Sequence, residues 1–594
     1  MDIFTEPYIT ALLNVLLFLL VTFIAFFYRY IYPKKSINFL FIILVISILP
    51  VLSIFRDGVF SSGDMRTHLA HLINFYTNLE DGNILPKWAG DLCGMKGCPI
   101  FQITYILPYY FGSIFHFVGF DFLTSIKLVY ASSFILSGFT MYLWARENFG
   151  KLGGLIASVF YLFAPYHLID LHFRGSVGEV LSFVFIPLVF LFTKKIIETG
   201  RSRYFFLESL SIVLLLMSHS SIAIVTVPVA LLYGYFICLK NKNTNRGRLI
   251  ILTGSYLYAI LITMFYWLPA YQEVKYTWQS KATYGYFMSF IDYIVSPARF
   301  GMLYQDSTAQ IRPIIGYMHA IVFAYAVFLV IKGSIKKEYK NLLLFFIITS
   351  IFLFFMMLQI SEVIWRNISI LHSFIMVHRL LVLNSFILST ISALILIHLR
   401  KRKILLLILY LTIFLSIFNW ANRYMIPAPT NPIRNENEFF SQFYDVNNQI
   451  YEVRRSMLVK NREKLAYDIP STPIEILQGN GSFLEIKRRQ NSHEYLVSAK
   501  SEIDIRENTH YFPGWKVYAN SNEVSINYEN NQDESFGFIT FSLPEGLYKI
   551  EVTYTDTPIR IFSLVISVLV FSIGFFFFAF YSNITSFFKK IISK

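Results

Sequence analysis

The chain has few charged side chains and few cysteines. Only 15% of its 594 residues are Asp, Glu, Lys or Arg, whereas 55% are hydrophobic. A soluble domain needs more polar surface than this, so the composition is typical of a protein that crosses a membrane many times. The net charge of +14 does not indicate a nucleic-acid partner, because the Lys and Arg residues lie in short clusters between apolar segments.

Apolar segments long enough to cross a bilayer recur along the chain. No cleavable signal sequence is evident, so the first segment is predicted to be a retained span. We predict an α-helical polytopic protein with about 13 transmembrane helices, since roughly 20 apolar residues cross the hydrocarbon core. The segments lie near residues 9–28, 37–55, 123–145, 152–168, 177–193, 204–218, 221–239, 249–270, 317–332, 341–359, 380–399, 404–421 and 559–581.

The basic clusters predict the direction of these helices. Every second connection carries Lys and Arg, which is typical of cytoplasmic loops and puts the N-terminus outside and the C-terminus in the cytoplasm. We therefore expect a bacterial plasma-membrane protein with a transmembrane region at 1–421 and a final helix and tail at 558–594. The predicted outer segments are 56–121, 166–179, 271–316, 362–378 and 422–557.

The outer segment 422–557 differs in character from the rest. Apolar and polar residues alternate with a period of two at 494–505 and 537–556, which indicates strands with one buried face. We predict a linker followed by a small antiparallel β-sandwich within 440–556. Its Tyr511, Trp515 and Tyr518 are either exposed binding aromatics or core residues.

The three cysteines fall on different predicted sides of the membrane. Cys93 and Cys98 are external, where they either form a local disulfide or remain thiols, and Cys238 lies near the cytoplasmic face.

Four groups of outer residues are candidates for chemistry, because polar groups near a membrane are costly unless they are used or paired. Asp64, His68 and His71 fall on one face of a helix at i, i+4 and i+7; the alternative is an ordinary interfacial helix with a wet polar face. The broken aromatic loop 86–110, with Trp88 and Tyr105, either lines a cavity or anchors the interface.

The other two groups are basic. Arg174, in a sequence with His172, Gly175 and Glu179, has the planar guanidinium that holds phosphate bidentately; an Arg–Glu pair or a helix cap is the alternative. His378 and Arg379 begin a span, where snorkelling also explains an arginine.

The order of these motifs resembles the GT-C superfamily of polytopic glycosyltransferases. Within it, the chain is similar to bacterial membrane proteins related by name to 6-pyruvoyl-tetrahydropterin synthase, and to proteins that glycosylate envelope polymers. No zinc-type histidine cluster of a soluble synthase is visible, so the name implies no pterin chemistry. The motifs are GDMRTH (63–68), LPKWAGDLCGMKGCPIFQITYILPYY (85–110), FRGSVGEVLSFVFIPL (173–188), HRLL (378–381) and YFPGWKVY (511–518).

The resemblance implies transfer of a sugar from a polyprenyl-phosphate donor to an envelope glycan or lipid acceptor. In GT-C enzymes an acid of the first large outer loop serves as catalytic base or metal-associated carboxylate, and Asp64 matches that position. Many relatives pair two acids there, whereas Glu80, Asp81 and Asp91 are not adjacent to Asp64, so the metal remains unknown and a divalent ion remains possible.

From these residues we expect single displacement with inversion. His68 orients the base, Arg174 and Arg379 hold the departing phosphate, and Trp88 with the loop 101–110, including Tyr105, forms a sugar platform. We expect His71, Glu179 and His378 to contribute to substrate binding. The alternatives are a glycan polymerase or ligase that uses a lipid-diphosphate oligosaccharide, a flippase of lipid-linked saccharide, or a structural scaffold.

Overall fold

The computed structural model describes most of the membrane region and the β-domain. The described residues are 38–55, 58–59, 62–240, 247–277, 287–294, 314–368, 376–399, 401–420, 437–439, 472–528 and 537–592, with isolated positions at 285, 371, 435 and between 16 and 32. Most of the predicted span at 9–28 and most of the linker at 422–471 therefore lie outside this part of the chain.

The described chain forms 17 α-helices and eight strands. In chain order the helices are α1 Phe39–Leu52, α2 Met65–Glu80, α3 Ile100–Ile103, α4 Leu107–Phe117, α5 Phe122–Leu162, α6 Pro165–Ile169, α7 Val177–Thr199, α8 Ser202–Ser218, α9 Ser220–Lys240, α10 Gly247–Ile262, α11 Met264–Glu273, α12 Tyr317–Ile331, α13 Lys337–Met356, α14 Glu362–Asn367, α15 Leu380–Leu396, α16 Arg402–Trp420 and α17 Pro558–Ile592. The strands are β1 Ile474–Gln478, β2 Gly481–Arg489, β3 Ser492–Ala499, β4 Ile503–His510, β5 Trp515–Ala519, β6 Asn522–Val524, β7 Phe538–Leu543 and β8 Gly546–Tyr554.

The chain divides into two compact units. The first comprises Met1–His68, Tyr110–Ala259 and Thr283–Arg434, and the second comprises Leu69–Tyr109, Ile260–Ala282 and Asn435–Lys594. The first unit is a helical bundle around α5, α7 and α15, and α15 is buried along its whole length.

A glycine divides the longest helical segment, α5, into a hairpin. A straight helix of its 41 residues would be about 62 Å long, about twice the thickness of the hydrocarbon core. Gly150 breaks it with φ +74° and ψ −179°, a combination that only glycine adopts readily. The two arms then pack on each other, because Ser158 Oγ donates to the Gly138 carbonyl at 3.0 Å. The predicted segments 123–145 and 152–168 correspond to these arms.

A lost helical hydrogen bond and a further break have local explanations. Pro187 inside α7 has no N–H for the carbonyl one turn earlier, and that carbonyl, of Phe183, accepts the Tyr161 hydroxyl at 2.9 Å. His219 has extended backbone angles (φ −163°, ψ 102°) and separates α8 from α9. The division predicted within 218–223 is therefore present.

Each predicted apolar segment from 37–55 onward coincides with helical structure. Within the described residues, however, six helices are long and apolar enough to cross a membrane, or seven if α10 and α11, which are bent by 61°, form one span. The number of about 13 is therefore not confirmed. The segments near 37–55, 317–332 and 404–421 form shorter apolar helices.

The second unit contains the predicted β-sandwich. One antiparallel sheet has the order β1-β4-β7, and the other has the order β2-β3-β8-β5-β6. Burial alternates along β3 and β5, as the period-two pattern predicts. Trp515, Val517 and Ala519 all face the core, so Trp515 is a core residue, whereas Tyr511 and Tyr518 are half-buried.

A buried ion pair joins the last helix to the bent pair within this unit. Arg560, in the first turn of α17, donates from Nε to Glu273 of α11 at 2.9 Å and from Nη2 to the Pro513 carbonyl at 2.8 Å. Both side chains are at most 5% exposed. Gly514 has φ +112°, and an added Cβ would lie 2.3 Å from the Thr555 carbonyl. The YFPGW sequence thus forms a close turn around the Arg560 guanidinium.

Candidate functional site

A short irregular segment in the first unit positions the main cluster of charged groups. Helix α6 continues as one π-helical turn, Asp170–Arg174, a feature frequent at functional sites. Gly175 then takes a left-handed conformation (φ +62°) and α7 begins, with Glu179 in its first turn. The chain reversal brings the Arg174 and Glu179 side chains together.

The two side chains form a bidentate ion pair. Arg174 Nη1 lies 2.7 Å from Glu179 Oε2, and Nη2 lies 2.8 Å from Oε1. Nη1 also donates to Asp170 Oδ1 at 2.6 Å and to the Tyr166 hydroxyl at 2.6 Å, and that hydroxyl donates to Glu179 at 2.9 Å. The carboxylates of Asp170 and Glu179 are fully buried. The Arg–Glu pair considered from the sequence is therefore present.

Residues from two distant parts of the chain complete the cluster. Arg379 Nε donates to Glu179 Oε1 at 3.0 Å, so one carboxylate accepts from two guanidinium groups. His219, in the break between α8 and α9, places Nε2 4.0 Å from the same oxygen. His378 is buried beside Tyr166, with ring centroids 6.1 Å apart. We call Asp170, Arg174, Glu179, His219 and Arg379 the ion cluster.

Asp64 is held next to Arg174 through the backbone. The Gly63 N–H donates to the Phe173 carbonyl at 2.9 Å, and the Asp64 N–H donates to the Arg174 carbonyl at 2.8 Å. Close approach requires the glycines, since a Cβ on Gly175 would lie 2.5 Å from Ser62 Oγ and one on Gly63 would lie 3.0 Å from the Arg174 oxygen. The structure thus brings Asp64 of the first predicted group next to Arg174, which pairs with Glu179 of the third group, and Glu179 also pairs with Arg379 of the fourth.

Burial shifts the pKa of two groups near this junction. His68, one turn into α2 from Asp64, is 6% exposed, and burial lowers its pKa to about 3. Its imidazole is therefore neutral at pH 7. Burial, and then the neighbouring Glu179, raise the pKa of the Asp170 carboxyl, because a second negative charge in the cluster is unfavourable.

The remaining predicted site residues have different surroundings. His71 belongs to the second unit, where it is buried and lies 2.9 Å from the Tyr109 hydroxyl. The wet polar face considered for α2 is therefore absent at His68 and His71, both of which are under 8% exposed. Tyr105 is half-buried and stacks on Tyr109 at 6.3 Å. His172 is fully buried.

Trp88 does not have the accessible face that a sugar platform needs, so this prediction is wrong. Its side chain is 0% exposed and belongs to the core of the β-sandwich, where its ring lies 5.3 Å from those of Trp515 and Tyr554. The loop that carries it pairs Ala89 with Cys98 and contains a disulfide between Cys93 and Cys98. The backbone of this loop is thus part of the same folded unit as the sandwich.

We expect Trp88→Ala to destabilise the second unit by about 3–5 kcal/mol, because it removes a large core side chain. Trp88→Phe should lose less stability. Phe117→Ala changes an aromatic side chain that is 81% exposed and should lose almost no stability. Thermal unfolding and limited proteolysis of the purified full chain measure this order. A stable Trp88→Ala protein with only weakened sugar binding would restore the platform role.

Sequence reasoning missed three residues of this site: Tyr166, Asp170 and His219. Asp170 lies four residues before Arg174, which is the spacing of neighbouring side chains on a helix. This spacing could have predicted their pairing. His219 lies between the predicted apolar segments 204–218 and 221–239, and that position predicts only a helix boundary. Its approach to Glu179 depends on the packing of α7 against α8 and α9, which spacing alone does not give.

No group of three or more His, Cys, Asp or Glu side chains in the described part of the chain is arranged to hold a metal ion. The ion cluster instead neutralises its carboxylates with guanidinium groups.

Comparisons with known proteins agree with the membrane character of the chain. Residues 103–424 match the family described as 6-pyruvoyl-tetrahydropterin synthase related domain, membrane protein. An uncharacterized protein of Lactococcus lactis subsp. cremoris (strain MG1363) is 26% identical over 251 residues, which are 41% of this chain and 41% of that protein. The chain thus spans less than half the length of this relative.

Solved structures of the arabinofuranosyltransferase AftD from Mycobacteria are also similar. One has a TM-score of 0.44 and 17% identity, and a second, of a mutant, has a TM-score of 0.41 and 15% identity. Each alignment covers 66% of this chain and 28% of the AftD chain.

Proposed function

The chain belongs to the family of membrane proteins with the 6-pyruvoyl-tetrahydropterin synthase related domain, and from that premise we propose that it is a GT-C type glycosyltransferase. The proposed reaction moves a sugar from a polyprenyl phosphate to an extracytoplasmic envelope glycan or lipid, in a bacterial plasma membrane. The motifs that resemble GT-C enzymes support this reaction, and so does the geometry of the site.

One observation carries the proposal. The Asp64 N–H donates to the carbonyl of Arg174, and the Arg174 guanidinium shares the Glu179 carboxylate with Arg379. An acid of the first outer loop is therefore held by the residue whose side chain enters a cluster of two guanidinium groups. A sugar transfer that expels a phosphate needs a base and cations in this proximity.

The charge of the cluster suits a phosphate leaving group. Burial and Glu179 raise the pKa of Asp170, so Asp170 holds its proton more readily than an exposed aspartate does. Arg174 and Arg379 both direct guanidinium groups at the Glu179 carboxylate, and cations in this position can stabilise a departing phosphate. Arg174 and Arg379 are 17% and 15% exposed, which leaves part of each accessible to a ligand.

The reaction assigns one role to each group. The Asp64 carboxylate takes the proton of the acceptor hydroxyl as the oxygen attacks the anomeric carbon. The bond to the phosphate oxygen breaks at the same time, and the phosphate leaves with the electron pair, stabilised by Arg379 and Arg174. A single displacement inverts the anomeric centre. Neutral His68 on the next turn of α2 positions the site without adding a charge.

Identifying the lipid-linked sugar that the protein consumes tests the proposed function directly. Purified protein should consume a polyprenyl-monophosphate sugar and release polyprenyl phosphate, measured by mass spectrometry of the lipids. Consumption of a lipid-diphosphate oligosaccharide alone would instead indicate the glycan polymerase or ligase. Movement of intact lipid-linked saccharide between leaflets without cleavage would indicate the flippase.

We expect Arg379→Gln to raise the KM for the donor about 10- to 100-fold, because a hydrogen bond to a charged group contributes about 1.5–3 kcal/mol. The kcat should fall as well, because Arg379 also stabilises the phosphate as it leaves. Arg366→Gln is the matched control, because Arg366 is 71% exposed and pairs with Glu362, four residues before it. An unchanged donor KM in folded Arg379→Gln would remove Arg379 from phosphate binding.

A further inference from the structure

A group of exposed apolar side chains lies in the first unit, at the connection between α4 and α5. Ile114, Phe117, Val118 and Phe120 are 57%, 81%, 70% and 45% exposed. We call these four residues the apolar tip. In water, so many exposed apolar side chains within a short segment are unfavourable, and such a patch usually marks a contact with a membrane or a protein.

The segment that contains the apolar tip has the composition of a membrane-associated segment. Residues 97–120 include no Asp, Glu, Lys or Arg. The helix that ends at the tip, α4, has 11 residues and is therefore about 16 Å long. A helix of this length does not cross a hydrocarbon core of about 30 Å. An apolar helix that does not cross the membrane is expected to lie at its surface.

The first arm of α5 indicates the depth of the apolar tip. Phe122 begins α5, two positions after Phe120, and Arg146 is the first charged residue after the buried Lys127. The 24 residues 122–145 rise about 36 Å, which is about 6 Å more than the hydrocarbon core and less than the whole bilayer of about 40–45 Å. Phe122 and the neighbouring tip therefore lie in the layer where head groups meet acyl chains.

The same arm of α5 has a side that faces lipid. Leu136 and Leu143 are 49% and 41% exposed, and they lie seven positions apart, the spacing of residues on one helix face. On a helix that crosses a membrane, exposed leucines contact acyl chains. The chain thus passes directly from the apolar tip into a helix in contact with lipid, which favours lipid over a protein as the partner of the tip.

Local contacts fix the shape of the turn that presents the apolar tip. The His116 ring donates from Nδ1 to the Phe120 carbonyl at 2.7 Å and stacks on the Phe122 ring at 3.6 Å. Gly119 has φ +114°, in the region that glycine adopts most readily. The tip is therefore a preformed surface on the protein.

We propose that the apolar tip inserts into the leaflet at this end of the bundle, which is predicted to be the outer one. Its side chains contact the acyl chains of phospholipids just below the head groups. The tip thus anchors the end of α4 in the membrane. This role is independent of sugar transfer, because none of the four side chains belongs to the ion cluster.

The test is a spin label at the apolar tip of the full chain. Phe117→Cys, in a Cys238→Ser background, is labelled with a methanethiosulfonate nitroxide without reductant, so that the Cys93–Cys98 disulfide remains intact. The protein is reconstituted into vesicles of phosphatidylethanolamine and phosphatidylglycerol. Oxygen concentrates among acyl chains, whereas a nickel–EDDA chelate stays in water. We expect collisions of the label with oxygen to exceed those with the chelate about threefold or more, as for a side chain below the head groups.

Leu547→Cys is the matched control, because Leu547 is 76% exposed and lies at the start of β8 in the sandwich. Its label should collide more with the nickel chelate. Val118→Cys, a second position of the tip, should repeat the Phe117→Cys result and replaces it if that variant does not fold. A tip label that collides with the chelate as often as with oxygen, or more often, lies in water and overturns the proposal. An immobile tip label that collides with neither probe shows that a protein covers the tip, which also overturns it.

Discussion

Asp64→Asn should lower the rate of sugar transfer about 10²- to 10⁴-fold, the usual contribution of a general base. Asparagine has the same shape as aspartate, and the hydrogen bond from residue 64 to the Arg174 carbonyl uses the backbone N–H, so the variant should fold normally. The donor KM should remain near the wild-type value, because the phosphate contacts belong to the ion cluster. Transfer from polyprenyl-monophosphate sugar, measured in single turnovers, separates these two quantities.

The matched control is Glu80→Gln, an exposed acid at the end of the same helix α2. It removes a carboxylate of the same outer loop without approaching the site, and it should transfer at the wild-type rate. Near-normal transfer by folded, correctly inserted Asp64→Asn protein would exclude Asp64 as the base. Equal losses of the transfer rate in both variants would mean that the effect comes from removing any negative charge of this segment and is not specific to Asp64.

The helices and the sandwich could be predicted from the sequence because both depend on short-range patterns. The length of the apolar segment at 177–193 predicts α7, and the period-two alternation predicts β3 and β8. The number of spans does not follow from these patterns, since length and apolarity do not show how a segment packs. Gly150 illustrates this difference: a 41-residue helical segment is two arms because of one glycine conformation.

The site could be predicted in part, for the same reason. Arg174 and Glu179 are close in sequence, so their pairing was one of the alternatives that spacing allowed. The approach of Arg379 to Glu179 joins residues 200 positions apart, and only their shared predicted membrane side suggested it. For Trp88 the sequence does not decide, because an aromatic residue in a predicted outer loop can either bind a ligand or be buried in a core. Its partners in β5 and β8 decide between the two.

Glu179 takes part both in the packing of the first unit and in its proposed chemistry. Its carboxylate accepts from Arg174, Arg379 and the Tyr166 hydroxyl, so three segments of the chain meet at one buried acid. A phosphate that enters the cluster would compete with this acid for the same guanidinium hydrogens. The acid thus preorganises the two arginines and also limits how tightly they hold the leaving group.

Glu179→Gln should therefore destabilise the protein by about 3–5 kcal/mol, since removal of one partner leaves buried charges uncompensated. Glu179→Gln/Arg174→Gln removes one charge of each sign and should recover part of this loss. Glu198→Gln, at the partly exposed end of the same helix, should change stability by less than about 0.5 kcal/mol. Denaturation of the three variants in detergent, followed by tryptophan fluorescence, measures the order. A single variant as stable as wild type, or a double variant with fully additive losses, would mean that Glu179 does not hold the two arginines together.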